Sequence, residues 1–164
     1  MDEVLKPPIV ADLMVWDVHT VTPDMSLEEV ISFLVKKKVP FAPVVERRDD
    51  GDELLGLISE KDCLGYLSNE LFYGNPDINV RSMMHKYPLC ASPESDIFVM
   101  ATIFTQHTYR HLPVVRDKHL VGVISRGDVL KAMHEFSLAV CRDKSRNKTH
   151  LDFHELANLR FIIK

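Results

Sequence analysis

The sequence predicts an α+β fold made of two copies of one unit, each with the order strand, helix, strand, strand, helix. The first observation is a repeated pattern, Gly-apolar-apolar-Ser-x-x-Asp, at Gly56–Asp62 and again at Gly122–Asp128. The second is that apolar residues around each copy switch between strand spacing and helix spacing. The third is that the two copies also match outside the motif when Pro43 is aligned with Pro113. The chain therefore contains an internal repeat.

The first half of the first unit contains a short helix, an extended segment and a longer helix. Ile9–Met14 predicts the short helix. Val18–Thr22 predicts an extended segment that stops at Pro23. Ser26 and Glu29 then form a capping-box pattern, which predicts the start of an amphipathic helix.

The second half of the first unit contains two strands and a closing helix. Phe41–Val45 is β-branched and apolar, which predicts a strand. The polar stretch Glu46–Glu53 predicts a turn, and Leu54–Ile58 returns as the second strand. The closing helix is predicted over Glu60–Phe72 and ends at Gly74-Asn75-Pro76.

The second unit repeats this order. The apolar face of its helix keeps the spacing seen in the first unit even where the residues differ. The face consists of Leu27, Val30, Ile31 and Leu34 in the first unit, and of Ile97, Met100, Ala101 and Phe104 in the second. A unit of about 60 residues buries its own sheet face poorly, so the two copies are expected to share a core. The predicted boundaries are a lead-in over 1–8, a first repeat over 9–74, a second over 75–139, and a C-terminal helical appendage over 140–164.

The appendage has no counterpart in the first copy. The closing helix is predicted to end near Val140, followed by a polar, basic, solvated loop over Arg142–His150. Leu151–Ile163 is amphipathic. It is interpreted as a helix that covers an apolar surface or docks on a second subunit.

Composition excludes several classes of protein. The 164 residues carry 20 basic and 24 acidic side chains, a net charge of −4, which argues against a nucleic-acid partner. The three cysteines lack the spacing of a zinc site or a disulfide framework, so no metal is predicted and a reducing, cytoplasmic location is expected. The start of the chain does not resemble a signal peptide, and no apolar run is long enough for a membrane span.

The repeated motif places Ser59 and Asp62, and likewise Ser125 and Asp128, where a strand passes into a helix N-terminus. Free backbone N–H groups there attract anions, and a carboxylate accepts hydrogen bonds from the vicinal hydroxyls of a sugar. The alternative is that these residues only cap the helix. Their duplication at matched positions favours a binding role.

The whole order in duplicate resembles the paired CBS domains, also called a Bateman module. The resemblance covers Ile9–Phe136 and rests on V-x-x-x-M, then T/S-P, the amphipathic helix, P-V-V and the Ser/Asp motif. It implies two repeats packed about a pseudo-twofold axis with two clefts between them, and modules that form a homodimer. It also implies that the clefts bind AMP, ADP, ATP or S-adenosylmethionine, and that the module regulates a separate, unknown protein without catalysing a reaction.

The family pattern assigns residues to each cleft. One cleft is expected to gather Asp128, Ser125 and Val123 with Thr22, Val39, Pro40 and Phe41, and the other Asp62, Ser59 and Leu57 with Ser92, Tyr109, Arg110 and His111. Lys61 adds charge near one motif, and Gly127 leaves more room at the matching position of the other.

The two clefts are not expected to be equal. Tyr109–His111 is aromatic and cationic, whereas Val39–Phe41 is apolar and has no N–H at Pro40. Arg110 and His111 are expected to contact phosphate. The alternatives are a surface charge for Arg110 and a structural histidine for His111. Tyr109 and Phe41 either flank an adenine or fill core.

The function predicted from these features is a regulatory adenine-nucleotide sensor. The alternative is a ligand-free dimerisation or scaffold module whose clefts are vestigial. An enzyme is not expected, because no G-x-S-x-G, H-E-x-x-H or phosphate-loop pattern occurs.

Overall fold

A computed structural model describes residues 5–74 and 78–146. In chain order its elements are α1 (Val10–Leu13), α2 (Leu27–Lys37), β1 (Phe41–Arg48), β2 (Gly51–Ser59), α3 (Glu60–Tyr73), α4 (Val80–Met83), β3 (His85–Lys86), α5 (Ile97–Gln106), β4 (His111–Arg116), β5 (His119–Ser125) and α6 (Arg126–Arg146). The predicted helix stop at Asn75-Pro76, the start of the lead-in and the amphipathic segment Leu151–Ile163 lie outside the described residues. Within the described ranges, no helix is both long and apolar enough to cross a membrane.

The chain divides into two compact units, and each takes residues from both sequence copies. Among the described residues, unit 1 contains 5–14, 93–111 and 124–146, and unit 2 contains 15–74, 78–92 and 112–123. Unit 1 therefore holds α1, α5 and α6, and unit 2 holds α2, α3, α4 and most of the sheet. Together these elements form the predicted α+β fold.

The sheet has the strand order β1-β2-β5-β4, and β3 pairs with β2. β1 and β2 form an antiparallel hairpin in which Phe41 is the partner of Ser59. The strands of the two sequence copies join where Glu53 pairs with His119.

The core of unit 2 is formed by apolar side chains from α2, α3, α4 and the sheet. Its buried members are Val21, Leu27, Val30, Leu34, Ala42, Val44, Ile58, Cys63, Val80 and Met83. Leu27, Val30 and Leu34 of the predicted stripe are buried, and Ile31 is partly buried against them. Burial of this stripe supplies most of the stability of the helix.

Unit 1 is helical. Val10, Ile97 and Met100 are fully buried there. The rings of Phe98 on α5 and Phe136 on α6 meet edge to face, with centroids 5.9 Å apart.

The short helices are held by the opposite sequence copy. In unit 1, the N–H of Val10 donates to the carbonyl of Ser95 at 2.8 Å. In unit 2, the N–H of Val80 donates to the carbonyl of Met25 at 2.9 Å. Since Val10 matches Val80 and Met25 matches Ser95 in the repeat, each copy places its short helix just before the long helix of the other.

The prediction for α2 is confirmed. Ser26 Oγ accepts from the N–H of Glu29, and the Glu29 carboxylate accepts from the N–H of Ser26 at 2.7 Å. The helix ends at Lys38, which adopts a left-handed conformation with φ of 55°.

The turn predicted over Glu46–Glu53 is present but shorter, because β1 continues to Arg48 and β2 already begins at Gly51. Arg48 lies 2.6 Å from Glu53 across the hairpin, and Arg47 pairs with Asp52 at 3.5 Å. Cross-strand pairs of opposite charge extend the strands. The sequence identifies this stretch as polar but does not predict that its opposite charges pair across the hairpin.

Two other predictions need correction. Val18–Thr22 is not a continuous strand, because its only recorded pairing among the described residues is a single parallel bridge between Val21 and Val44. The closing helix does not end near Val140 but runs to Arg146, so the first part of the predicted basic loop is helical.

Candidate functional site

The first copy of the motif forms the N-terminus of α3, within unit 2. Asp62 Oδ2 accepts from the N–H of Ser59 at 2.9 Å and from its hydroxyl at 2.5 Å, while Ser59 Oγ accepts from the N–H of Asp62. The capping role considered as the alternative is therefore present. It occupies one carboxylate oxygen of Asp62 and leaves Oδ1 for another partner.

That partner is His85, a residue that the sequence analysis did not single out. His85 Nε2 lies 2.8 Å from Asp62 Oδ1. The Asp62 side chain is 13% exposed and the His85 side chain 73% exposed. β3 brings the two together, because His85 pairs with Leu57 at the end of β2. The signal in the sequence was the position of His85 directly after Met84, which belongs to the repeated V-x-x-x-M pattern.

The pKa of Asp62 reflects opposing effects. Burial by itself raises the pKa of this carboxyl, but the hydrogen bonds from Ser59 and His85 outweigh it. The pKa of Asp62 is consequently held below its ordinary value, and the group is a carboxylate at neutral pH.

The segment before β1 lies beside this motif in the same unit. The N–H of Glu60 donates to the carbonyl of Pro40 at 3.0 Å. Phe41 is half-buried and is the strand partner of Ser59. Predicted site residues Pro40 and Phe41 therefore lie at the start of α3.

The second copy of the motif forms the N-terminus of α6, within unit 1. Asp128 Oδ2 accepts from the N–H of Ser125 at 3.1 Å and from its hydroxyl, and Ser125 Oγ accepts from the N–H of Asp128 at 3.1 Å. No hydrogen bond to Asp128 Oδ1 is recorded within the described part of the chain. The capping geometry of the first motif is thus repeated without a counterpart of His85.

Cationic residues lie beside this second motif. The N–H of Arg126 donates to the carbonyl of Arg110 at 2.9 Å, which repeats the contact between Glu60 and Pro40. Burial lowers the pKa of His111, the Asp128 carboxylate raises it and the Arg110 guanidinium lowers it, with a net result below the ordinary value for histidine. Asp128, Arg110 and His111 therefore share one electrostatic environment in unit 1.

The remaining predicted site residues are distributed over both units. Thr22, Leu57, Val39 and Val123 are half-buried in unit 2, where Ser92 and Lys61 are exposed; Tyr109 and Gly127 are exposed in unit 1. The ring of Tyr109 lies 5.9 Å from that of His107. The expected grouping of Asp128 with Thr22 and Val39–Phe41, and of Asp62 with Ser92 and Tyr109–His111, stays a prediction.

The second motif combines three chemical properties in one unit. Asp128 offers a carboxylate oxygen to hydroxyl groups, the N-terminus of α6 favours an anion, and Arg110 and His111 are nitrogen donors. This set fits a ligand that carries both a diol and a negatively charged group.

The fold and the duplicated motif define a protein class, the modules in which a helix, an antiparallel pair of strands and a second helix with a Ser/Asp start occur twice. The family model for the CBS domain matches residues 10–69 and again 80–135. The chain belongs to the CBS-domain family.

Several relatives extend this comparison. The chain is 28% identical over 160 residues to CBSX1, a chloroplastic CBS domain-containing protein of Arabidopsis thaliana, covering 80% of this chain and 64% of that protein. It is 25% identical to YhcV of Bacillus subtilis, covering 88% of this chain and 98% of YhcV. The crystal structure of CBSX2 in complex with AMP matches with a TM-score of 0.66 and 29% identity, covering 79% of this chain and 98% of that one.

Proposed function

We propose that this chain is a regulatory module that binds an adenosine-containing ligand and modulates a separate partner protein, without catalysis of its own. The observation that carries the proposal is the second motif, where a helix-capping carboxylate, Asp128, shares its environment with Arg110 and His111. Broader support for the proposal comes from membership of the CBS-domain family and from the similarity to CBSX2, which was crystallised with AMP.

Each part of a nucleotide has a matching group in this proposal. The ribose hydroxyls donate to the open oxygen of Asp128, which remains anchored to Ser125 through its other oxygen. The phosphate lies toward Arg110, His111 and the N-terminus of α6. Arg110 is cationic, and His111 becomes cationic when it is protonated. The site therefore favours the negatively charged AMP, ADP or ATP over S-adenosylmethionine.

We further propose that the module works as a homodimer in the cytoplasm. Leu64 on α3 and Leu130 on α6, which occupy matching positions in the two copies, are 67% and 71% exposed. Apolar side chains exposed at equivalent helix positions are suited to an interface with a second copy. The regulated partner is a different protein, recognised through surfaces that change when ligand binds.

Thermal unfolding against AMP, ADP, ATP and S-adenosylmethionine tests the ligand proposal. At 100 times its dissociation constant a ligand adds about 2.7 kcal/mol, a shift in Tm of about 5–10 °C at this size. Asp128→Asn keeps a hydrogen-bonding cap but removes the charge, and it should abolish most of the shift. Asp50→Asn is the matched control, since Asp50 is an exposed aspartate on the hairpin of unit 2.

An unchanged Tm with every ligand at millimolar concentration would contradict the sensor proposal. It would favour the second candidate, a scaffold or dimerisation module. That candidate has its own support, because both motif aspartates already serve as helix caps. In addition, a groove of about 880 Å³ lies between α2 and α3 and is lined partly by Leu67, Leu71 and Ile78.

A further inference from the structure

The two motif aspartates differ in how many of their carboxylate oxygens accept a hydrogen bond. Asp62 uses both carboxylate oxygens, Oδ2 for Ser59 and Oδ1 for His85. Asp128 uses Oδ2 for Ser125, and Oδ1 has no hydrogen-bonding partner recorded in the described ranges. The oxygen that a ribose would contact is therefore already engaged at the first motif.

This difference between the aspartates arises at a single position of the repeat, where the two copies carry different residues. His85 follows Met84 in β3 and pairs with Leu57 of β2, and Val15, which follows Met14, bridges to Val123 of β5. Leu57 and Val123 occupy the same place in the two motifs, so His85 and Val15 are equivalent. Valine has no group that can bind a carboxylate, whereas the imidazole of histidine has two nitrogens that can.

We propose that His85 is an internal competitor for the Asp62 carboxylate, so that nucleotide binds at the first motif only after this histidine is displaced. The proposal rests on the proposed function and deepens it, because it makes the two sites unequal in affinity. The ring of His85 is 73% exposed, so it can rotate away without disturbing the core. Asp62 is 13% exposed and stays fixed by Ser59 while its partner changes.

The size of the competition follows from the exposure of His85. A hydrogen bond from a largely exposed side chain contributes little, so its removal should strengthen binding at the first motif by about two- to fivefold. The competition lowers the affinity of the site at Asp62 relative to the site at Asp128. The site at Asp62 therefore fills at the higher nucleotide concentration.

Isothermal titration calorimetry with AMP tests this in the Asp128→Asn background, where the first motif is the remaining site. His85→Val introduces the residue found at the equivalent position, and AMP affinity should rise about two- to fivefold. His85→Gln keeps an N–H donor for Asp62 and should leave the affinity close to that of the parent. His119→Val is the matched control, since His119 faces Asp50 at 3.5 Å on the hairpin and not the motif.

Three outcomes separate the two proposals. Weaker or unchanged AMP binding in His85→Val, with AMP still bound by the wild type, would overturn the competition and leave the sensor function standing. An equal gain in His119→Val would also overturn it. Absence of AMP binding in the wild type and in every variant would overturn both proposals together. Far-UV circular dichroism of each variant checks that the fold is retained.

Discussion

At the scale of single residues, His111 is the group whose charge state should report ligand binding. Burial in unit 1 lowers its pKa, so the neutral imidazole is favoured in the free protein. Because the folded pKa is lower than the unfolded one, the unfolded chain takes up this proton first. Stability is therefore lost as the pH falls from the ordinary histidine value through the folded one.

A phosphate beside His111 should reverse this effect. The negative charge favours the imidazolium, so AMP is expected to raise the pKa of His111. Histidine side-chain NMR over a pH series, with and without AMP, measures this directly. The His119 resonance serves as the internal control and should not respond to AMP. A His111 titration that AMP leaves unmoved would contradict the assignment of the phosphate to this residue.

Residues were predictable from the sequence where their role is local. Ser59 and Asp62 are three positions apart and cap the helix that they begin, so spacing alone identified them. The contact of His85 with Asp62 was not predictable, because it depends on the pairing of β3 with β2. The sequence showed that the position after Met84 lies in a repeat, but not which side chain it meets.

At the scale of secondary-structure elements, the surroundings of Gly56 explain why the first copy of the motif begins with glycine. A Cβ at this position would lie 2.6 Å from the carbonyl oxygen of His85, which belongs to the adjacent strand β3. Real Cβ atoms do not approach backbone so closely, and β3 would have to move. The glycine is thus required by strand packing and not by a positive φ.

Two glycine-to-alanine variants should consequently have opposite effects. Gly56→Ala is expected to lower the free energy of unfolding by about 1–3 kcal/mol, since it forces β3 from β2. Gly65→Ala, in the middle of α3 with open space around its Cβ, should raise it by about 0.5–1 kcal/mol. Urea titration of both variants beside the wild type provides the comparison. Equal destabilisation by the two variants would show that the close approach at Gly56 is not the cause.

Elements were predicted well where one local signal was strong. The capping box at Ser26 gave the start of α2 correctly. The hairpin was predicted less well, because Arg48 pairs with Glu53 only after the strands have met. The length of α6 was underestimated for a related reason, since its polar last turns lack the apolar period that marked the rest.

At the scale of the whole molecule, the compact units do not coincide with the sequence repeats. Unit 1 contains α1 from the first copy together with α5 and α6 from the second. Unit 2 contains α4 and β3 from the second copy, with Val80 fully buried in a core that is otherwise built mainly from the first. Neither copy alone contains all the parts of one unit.

Fragments cut between the repeats should therefore fail to fold separately. A fragment of residues 1–76 lacks the partners of Val10, and one of residues 77–164 lacks the partners of Val80. Each is expected to unfold without a cooperative transition, and an equimolar mixture should regain one. Thermal unfolding followed by circular dichroism, with the intact chain as reference, measures this. A fragment that alone matched the cooperativity of the intact chain would contradict the exchange of short helices.

The placement of α1 also has a consequence during synthesis. Val10 is synthesised well before its hydrogen-bonding partner Ser95, and before the helices α5 and α6 of the same unit. α1 therefore cannot dock until those later residues have been made, and its docking is a contact of high sequence separation. Until α5 and α6 have been made, the apolar side of α1 lacks its partners in unit 1, and transiently exposed apolar surface of this kind favours aggregation of a nascent chain.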